Sequence, residues 1–274
     1  MEIRFYFLIF FLASTFSSFS QEISMSGTLL NIQNNNPITY VNIGIENKNQ
    51  GTITDTNGQF NFTIPEEFEG DTITISHLNY HTIMILAESF DNRSIWMQPK
   101  TSVLEEVIVT SRKRKTKKSG VKSYGRLLSM RVVSKSNDIV EAAQRIHIPD
   151  TEVKVNALNF AVRKWSELDG VKIRINFYEN VDNMPGERIV RKNIIFTMPE
   201  RTESDWIKID LKEQDIYISQ DFIVGIEFIP NFENPTIVDL GSILTKGKGY
   251  RRESSQGNWT KLNGGASINV EIKY

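Results

Sequence analysis

The chain has 274 residues, 39% of them hydrophobic and 24% charged, with a formal net charge of −1. That is ordinary globular composition, enough for two domains at roughly 100–150 residues each, and near-zero charge argues against a whole-chain nucleic-acid binder. There is no cysteine, so neither disulfides nor a lipid-modified N-terminal cysteine are expected, and each core must hold itself together.

Residues 1–20 open with Arg4, continue with an apolar run from Phe5 to Leu12, and place Ser18 and Ser20 at the −3 and −1 positions of a cut before Gln21. This is the anatomy of a secretory signal peptide, and the run is too short to span a bilayer. No later stretch is long and apolar enough to cross a membrane as a helix. The expectation is an exported protein of the periplasm, outer-membrane surface or cell surface, and not a lipoprotein.

From Ile23 to Met97 the apolar pattern has period two. Val41, Ile43 and Ile45 alternate with polar or small residues, as do Phe60, Phe62 and Ile64, then Ile73 and Ile75, Ile83 and Ile85, and Ile95 and Met97. Such alternation puts one face of each strand in a core. Turn residues separate the runs at 34–37, Asn57-Gly58 and 69–71. About seven short strands without a helical period read as a small antiparallel sandwich over residues 21–99.

The residues Ser26-Gly27, Pro37-Ile38, Val41-Asn42-Ile43, Thr54 to Phe60, Asp71-Thr72-Ile73, Ile75-Ser76 and Tyr80 carry a resemblance. The stretch resembles the carboxypeptidase-like regulatory domain, a transthyretin-like sandwich. The family's usual Gly-Tyr is Asn79-Tyr80 here, a mild change because Asn tolerates left-handed backbone. The resemblance implies a non-catalytic module. Residues 104–110 (LEEVIVT) look like the exit sequence that follows this domain in outer-membrane nutrient receptors, yet too few residues remain for a receptor barrel.

Residues 111–135 contain ten Lys or Arg and no acid. The stretch 100–120 reads as a basic linker, a solvated spacer that keeps two sandwiches apart or a contact for an anionic surface. Each basic residue near such a surface adds about 1 kcal/mol of attraction before salt screening.

Residues 121–274 are again strand-rich. Val171, Ile173, Ile175 and Phe177 alternate, as do Ile207, Ile209 and Leu211, then Phe222, Val224, Ile226 and Phe228, and Ile268, Val270 and Ile272. Residues 153–162 are apolar on both faces in places, as in a central strand, and 139–146 reads as a strand in preference to a short helix. Eight to ten strands suggest a jelly-roll-like β-sandwich. The pattern at 141–146, 171–178, 184–187, 206–211 and 222–227 resembles a jelly-roll module found behind such regulatory domains, with no activity implied. The fold expected is therefore all-β: two antiparallel sandwiches joined by a basic linker.

No motif for catalysis is complete. The residues three after His77, His81 and His147 are Tyr80, Met84 and Asp150, so the His-x-x-Glu pair of a zinc carboxypeptidase is lacking. Asp55-Thr56-Asn57-Gly58 puts Gly where an EF-hand loop does not, and a tight hairpin explains it. Asn180, Asp182 and Asn183 are a loop where calcium is conceivable. Gly247-Lys248 lacks the rest of a phosphate loop. Aromatics are the positive signal: Trp259 and Tyr250, flanked by Arg251, Arg252 and Asn258, lie in a polar, Gly-rich segment. If exposed, such rings stack on sugar faces while the polar neighbours bond hydroxyls; the alternative is a hairpin whose rings cap the core. The reading is a non-catalytic envelope binding protein whose expected partner is a glycan or an envelope protein, with no cofactor or metal. An unrecognised glycosidase-like hydrolase and a structural accessory of an outer-membrane receptor are the alternatives.

Overall fold

The computed structural model describes residues 22–91, 93–100, 115–166, 168–199, 205–233, 235–245 and 247–274. The expected signal peptide, the LEEVIVT phrase and the basic run up to residue 114 lie outside the described residues.

The first module contains β1 (Glu22–Asn31), β2 (Asn42–Ile45), β3 (Gln50–Ile53), β4 (Gln59–Pro65), β5 (Thr72–Ser76), β6 (Ile83–Leu86) and β7 (Arg93–Met97). Two sheets form, ordered β4-β1-β7 and β3-β2-β5-β6. All pairings are antiparallel except β1 with β7, which run parallel. The period-two residues are the core: Ile43, Ile45, Phe60, Phe62, Ile64, Ile73, Ile75, Ile95 and Met97 pack together with Met25 and Leu29. Each such side chain, fully buried, contributes about 1.5–3 kcal/mol of transfer free energy. The turn before β4 is the expected hairpin. Gly58 has φ of +71°, and Asp55 Oδ1 accepts bonds from the N–H groups of Asn57 and Gln59, both 2.8 Å.

The second module contains β8 (Thr116–Gly120), β9 (Ser129–Val133), β10 (Val140–Ile146), β11 (Val153–Ala161), β12 (Lys172–Val181), β13 (Met184–Arg188), β14 (Ile194–Thr197), β15 (Trp206–Asp210), β16 (Ile216–Ile218), β17 (Phe222–Ile229), β18 (Ile237–Ile243), β19 (Gly249–Arg252), β20 (Thr260–Lys261), β21 (Gly265–Ala266) and β22 (Ile268–Lys273). One sheet runs β13-β12-β17-β10-β19-β20, with β14 also on β12. It faces the sheet β15-β11-β22-β8, and β21-β18-β9 completes the wall. Between them lies a single apolar core that includes Ile173, Ile175, Phe177, Val224, Ile226 and Phe228 from one sheet and Leu158, Phe160, Ile268, Val270 and Ile272 from the other. The chain is thus all-β, with antiparallel sheets in both sandwiches.

Two expectations change. Residues 116–120 are not linker: β8 pairs antiparallel with β22 from Thr116↔Lys273 to Gly120↔Asn269. Its backbone completes a ladder that the absence of apolar side chains had hidden, and buried Ser119 supplies the inward position. Nor are the sandwiches held apart. Every residue of β17 is buried. Its Ile229 joins Ile139 and Phe232 against Tyr40 and Ile53 of the first module.

Candidate functional site

The alternation that sends Ile173, Ile175 and Phe177 into the core sends Arg174, Asn176 and Tyr178 to the other face of β12. On most antiparallel sheets that face is wet. Here it is closed, and a row of charges crosses it. Arg252 on β19 stands opposite Glu141 on β10, Glu141 opposite Glu227 on β17, and Glu227 opposite Arg174 on β12. Two carboxylates side by side repel, so the row holds only with cations at its ends. Arg252 Nη2 donates to Glu141 at 2.6 Å and Arg174 Nη1 to Glu227 at 2.9 Å. Arg188 Nη2 adds a bond to Glu227 at 3.1 Å. Asn176 Nδ2 bridges both acids, at 2.9 Å to Glu141 and 3.0 Å to Glu227, and the Tyr178 hydroxyl donates to Glu141.

Both acids are fully buried. Burial alone raises the Glu227 pKa, but Arg174, Arg188 and Arg252 outweigh it and hold the carboxyl below its ordinary range. Gly225 makes the room: a Cβ there would stand 2.1 Å from Glu141 Oε1. A buried carboxylate pair suggests hydrolase chemistry, but each oxygen here is claimed by fixed donors and no face opens to water. The cluster is a structural network.

The residues expected from sequence to bind ligand belong to this wall. Tyr250 is completely buried and its hydroxyl donates to the Asn183 carbonyl at 2.7 Å. Arg252 is committed to Glu141. Trp259 lies edge-on to Tyr178, centroids 5.4 Å apart, with the Arg252 guanidinium 4.9 Å from its centroid. Arg251 pairs with Glu253 at 3.1 Å. Asn258 donates to the Asn47 carbonyl of the first module at 2.9 Å. The structure brings Tyr250, Arg252 and Trp259 together as packing, with Tyr250 buried and Trp259 half-buried. Asp182 and Asn183 both take positive φ and form the two-residue turn joining β12 to β13. Asn183 Oδ1 accepts from Arg145 and Lys248. His77 packs against Tyr80 and accepts the Asn79 N–H. Among the described residues, no group of three His, Cys, Asp or Glu is placed to hold a metal.

Beside this network the modules meet. The Ile53 N–H donates to the Asn137 carbonyl at 3.0 Å and the Asn47 N–H to the Gln256 carbonyl at 2.9 Å. Arg174 Nη2 donates to the Tyr40 carbonyl at 2.5 Å, and Lys172 Nζ to the Tyr40 hydroxyl at 3.1 Å. The Ser255 hydroxyl sits within hydrogen-bond distance of three acceptors: the carbonyls of Ile43 and Thr52 and Asp138 Oδ1. Gly51 admits this approach, since a Cβ would come within 2.4 Å of Ser254 Oγ and 2.7 Å of Ser255 Oγ. Tyr40 and Phe232 both hold φ near +60°, at 56° and 66°. A bulky residue in that region costs about 1–3 kcal/mol and persists only where its surroundings fix it. Here both rings are fixed in the apolar contact between modules.

Next to that contact a cleft of about 570 Å³ opens between the modules. β1, β3 and β4 form its floor, and Asn137 and Phe232 of the second module form its rim. Gln59, Asn61 and Asn137 bring amides, Thr28 a hydroxyl and Phe232 a ring, and among the described residues Asp55 is the only formal charge in the lining. Sequence reasoning missed the cleft because its residues are ordinary within each module and meet only on docking.

Residues 25–109 match the family model of the CarboxypepD_reg-like domain. The first sandwich is that domain, and the match runs past β7 into residues outside those described. No curated protein matches the chain. Among solved structures, the cysteine protease and lectin-like domains of Cwp84, a surface-layer-associated protein of Clostridium difficile, align at TM-score 0.37 and 13% identity over 52% of this chain and 36% of that one. The infectious bursal disease virus VP2 subviral particle aligns at TM-score 0.29 and 8% identity over 92% and 62%. A putative carbohydrate binding protein from Bacteroides uniformis aligns at TM-score 0.20 and 12% identity over 79% and 94%. The chain spans about a third to two thirds of the first two. The cleft therefore lies between a CarboxypepD_reg-like domain and a second, larger β-sandwich.

Proposed function

We propose that the protein is an exported, non-catalytic binding protein of the cell envelope, and that it takes a neutral saccharide in the cleft between its modules. The observation that carries this reading is the lining of the cleft. Its amides and the Thr28 hydroxyl match the donor and acceptor pattern of sugar hydroxyls, and the Phe232 ring offers the apolar patch of a sugar face. Its volume falls within the roughly 300–1,000 Å³ of small-molecule sites. The closed state of the Glu141–Glu227 pair favours binding over turnover.

Gln59 and Asn61 both project exposed side chains into the cleft, so both can be truncated without opening a core. On a glycan array, Gln59→Ala/Asn61→Ala is expected to lose retention while its melting temperature stays within about 1 °C of wild type, as surface substitutions usually do. Trp259→Ala should behave in the opposite way. It lowers the melting temperature and leaves retention by the folded fraction intact. Retention that survives in the double variant, or vanishes in Trp259→Ala at full folding, counts against the cleft.

A further inference from the structure

A second cavity, of about 390 Å³, opens on the other side of the larger module where β8 passes into the chain beyond Gly120. Its lining differs in charge from the cleft. Lys122, Arg145 and His147 bring cationic or protonatable groups to it, alongside Ser119, Gln144 and Gly247. Asp221 binds Arg145 Nη2 at 3.0 Å and His147 Nδ1 at 2.9 Å, and accepts the Ile148 N–H at 3.0 Å. One carboxylate thus fixes two of the three groups and leaves Lys122, which is exposed, as excess positive charge. Lys117 shares the face of Ser119 on β8, since side chains alternate along a strand, and extends the positive field along an edge with no further strand on it among the described residues.

The wall holds an unmet acceptor. Gln144 is 1% exposed and its Nε2 donates to the Arg145 carbonyl at 3.2 Å, but its Oε1 is buried without a partner. Such a group is unfavourable until a donor reaches it. Gly247 lies directly over the amide: a Cβ there would stand 2.9 Å from Nε2 and 3.0 Å from Oε1. With φ of +85°, the position suits glycine on backbone grounds as well.

Lys122 calls for an anion and the amide oxygen calls for a hydroxyl donor, in a space that fits one sugar ring. We propose that this cavity seats a carboxylated sugar residue, a uronic acid unit of an acidic polysaccharide. The carboxylate faces Lys122, and a ring hydroxyl donates to Gln144 Oε1. The site shares no residue with the neutral cleft, so either can fail alone.

Calorimetric titration with tri-galacturonate, its methyl ester and inorganic phosphate tests the proposal. Tri-galacturonate should bind, with an affinity that falls as salt rises. The uncharged ester and phosphate should each bind at least about tenfold more weakly, because each supplies only one of the two features (about 1.4 kcal/mol per tenfold). Lys122→Gln should weaken tri-galacturonate about tenfold at unchanged melting temperature, and Gln59→Ala/Asn61→Ala should leave it untouched. Equal binding of the ester removes the role of charge, and equal binding of phosphate removes the sugar. No binding of tri-galacturonate, or full affinity in Lys122→Gln, overturns the site. Gln144→Leu probes the amide, and should it fail to fold, Lys122→Gln decides.

Discussion

At the scale of single residues, the face opposite the core carries the unusual chemistry. Arg174 links two things: the charge row through Glu227, which Arg188 also binds, and the backbone of Tyr40 across the junction. Removing one partner of a buried pair leaves the other uncompensated, at a cost of about 3–5 kcal/mol. Arg174→Met is therefore expected to lower unfolding free energy by about that much in urea titration, whereas an exposed pair such as Lys212 with Asp210 should cost under about 1 kcal/mol. Equal small losses at both would show that the row is not buried as described. Asp138 has the opposite electrostatics. It is buried at the junction beside Gly51, Thr52, Ser254 and Ser255, none of which titrates, and burial raises its pKa although bonds from the serines and the Ile139 N–H pull it down. A folded-state pKa above the unfolded one means that the folded state holds its proton more tightly. The stability this confers is present below the ordinary carboxylate value and lost as pH rises through the raised one. Asp138→Asn lacks that loss, so its stability relative to wild type should climb as pH rises from about 4 and then level off; a flat difference would contradict the burial. His77 acts on the acid side. Burial, with Arg174 and Arg188 behind it, brings its pKa down to about 3, so it favours the fold above the ordinary histidine value and that stability drains as pH falls from there toward 3.

At the scale of elements, period two was enough to read most of the strands. Phe60, Phe62 and Ile64 on β4, or Phe222, Val224, Ile226 and Phe228 on β17, needed nothing beyond their spacing. The buried charge row was not legible for the same reason. Arg174, Asn176 and Tyr178 occupy the positions of β12 that alternation assigns to solvent, and sequence alone does not show that Trp259 and Arg188 of the same module and Tyr40 of the first module cover them. A signal was present on β17, where Ile223, Gly225 and Ile229 interrupt what would be a polar face. Gly225 in particular marks close approach by another group, here the Glu141 carboxylate. The tyrosine and tryptophan of the 250–259 segment were found by their type, but whether a ring is open or closed depends on strands far away in sequence. β8 escaped for a different reason: its lysines read as linker, while in the fold they sit on a sheet edge, where charge discourages pairing with other chains. Lys117→Val/Lys118→Val is accordingly expected to raise self-association in light scattering without loss of melting temperature; a monodisperse double variant would show that the edge needs no such protection.

At the scale of the whole molecule, the junction decides what the protein can be. Two independent sandwiches on a tether would leave Ile139, Ile229 and Arg174 without the cover of Tyr40 and Ile53, and would have no shared cleft. The contacts from Tyr40, Ile53, Asn47 and Thr52 to Phe232, Asn137, Gln256 and Ser255 make the modules one body, and the cleft exists only because of them. Scanning calorimetry of the mature chain tests this most directly, comparing wild type with Gly51→Val, whose added side chain would strike Ser254 and Ser255. One cooperative transition in wild type, with calorimetric and van't Hoff enthalpies equal, and two separated transitions in Gly51→Val are the predicted result. Two transitions already in wild type, or a single unshifted one in Gly51→Val, would contradict the docked arrangement.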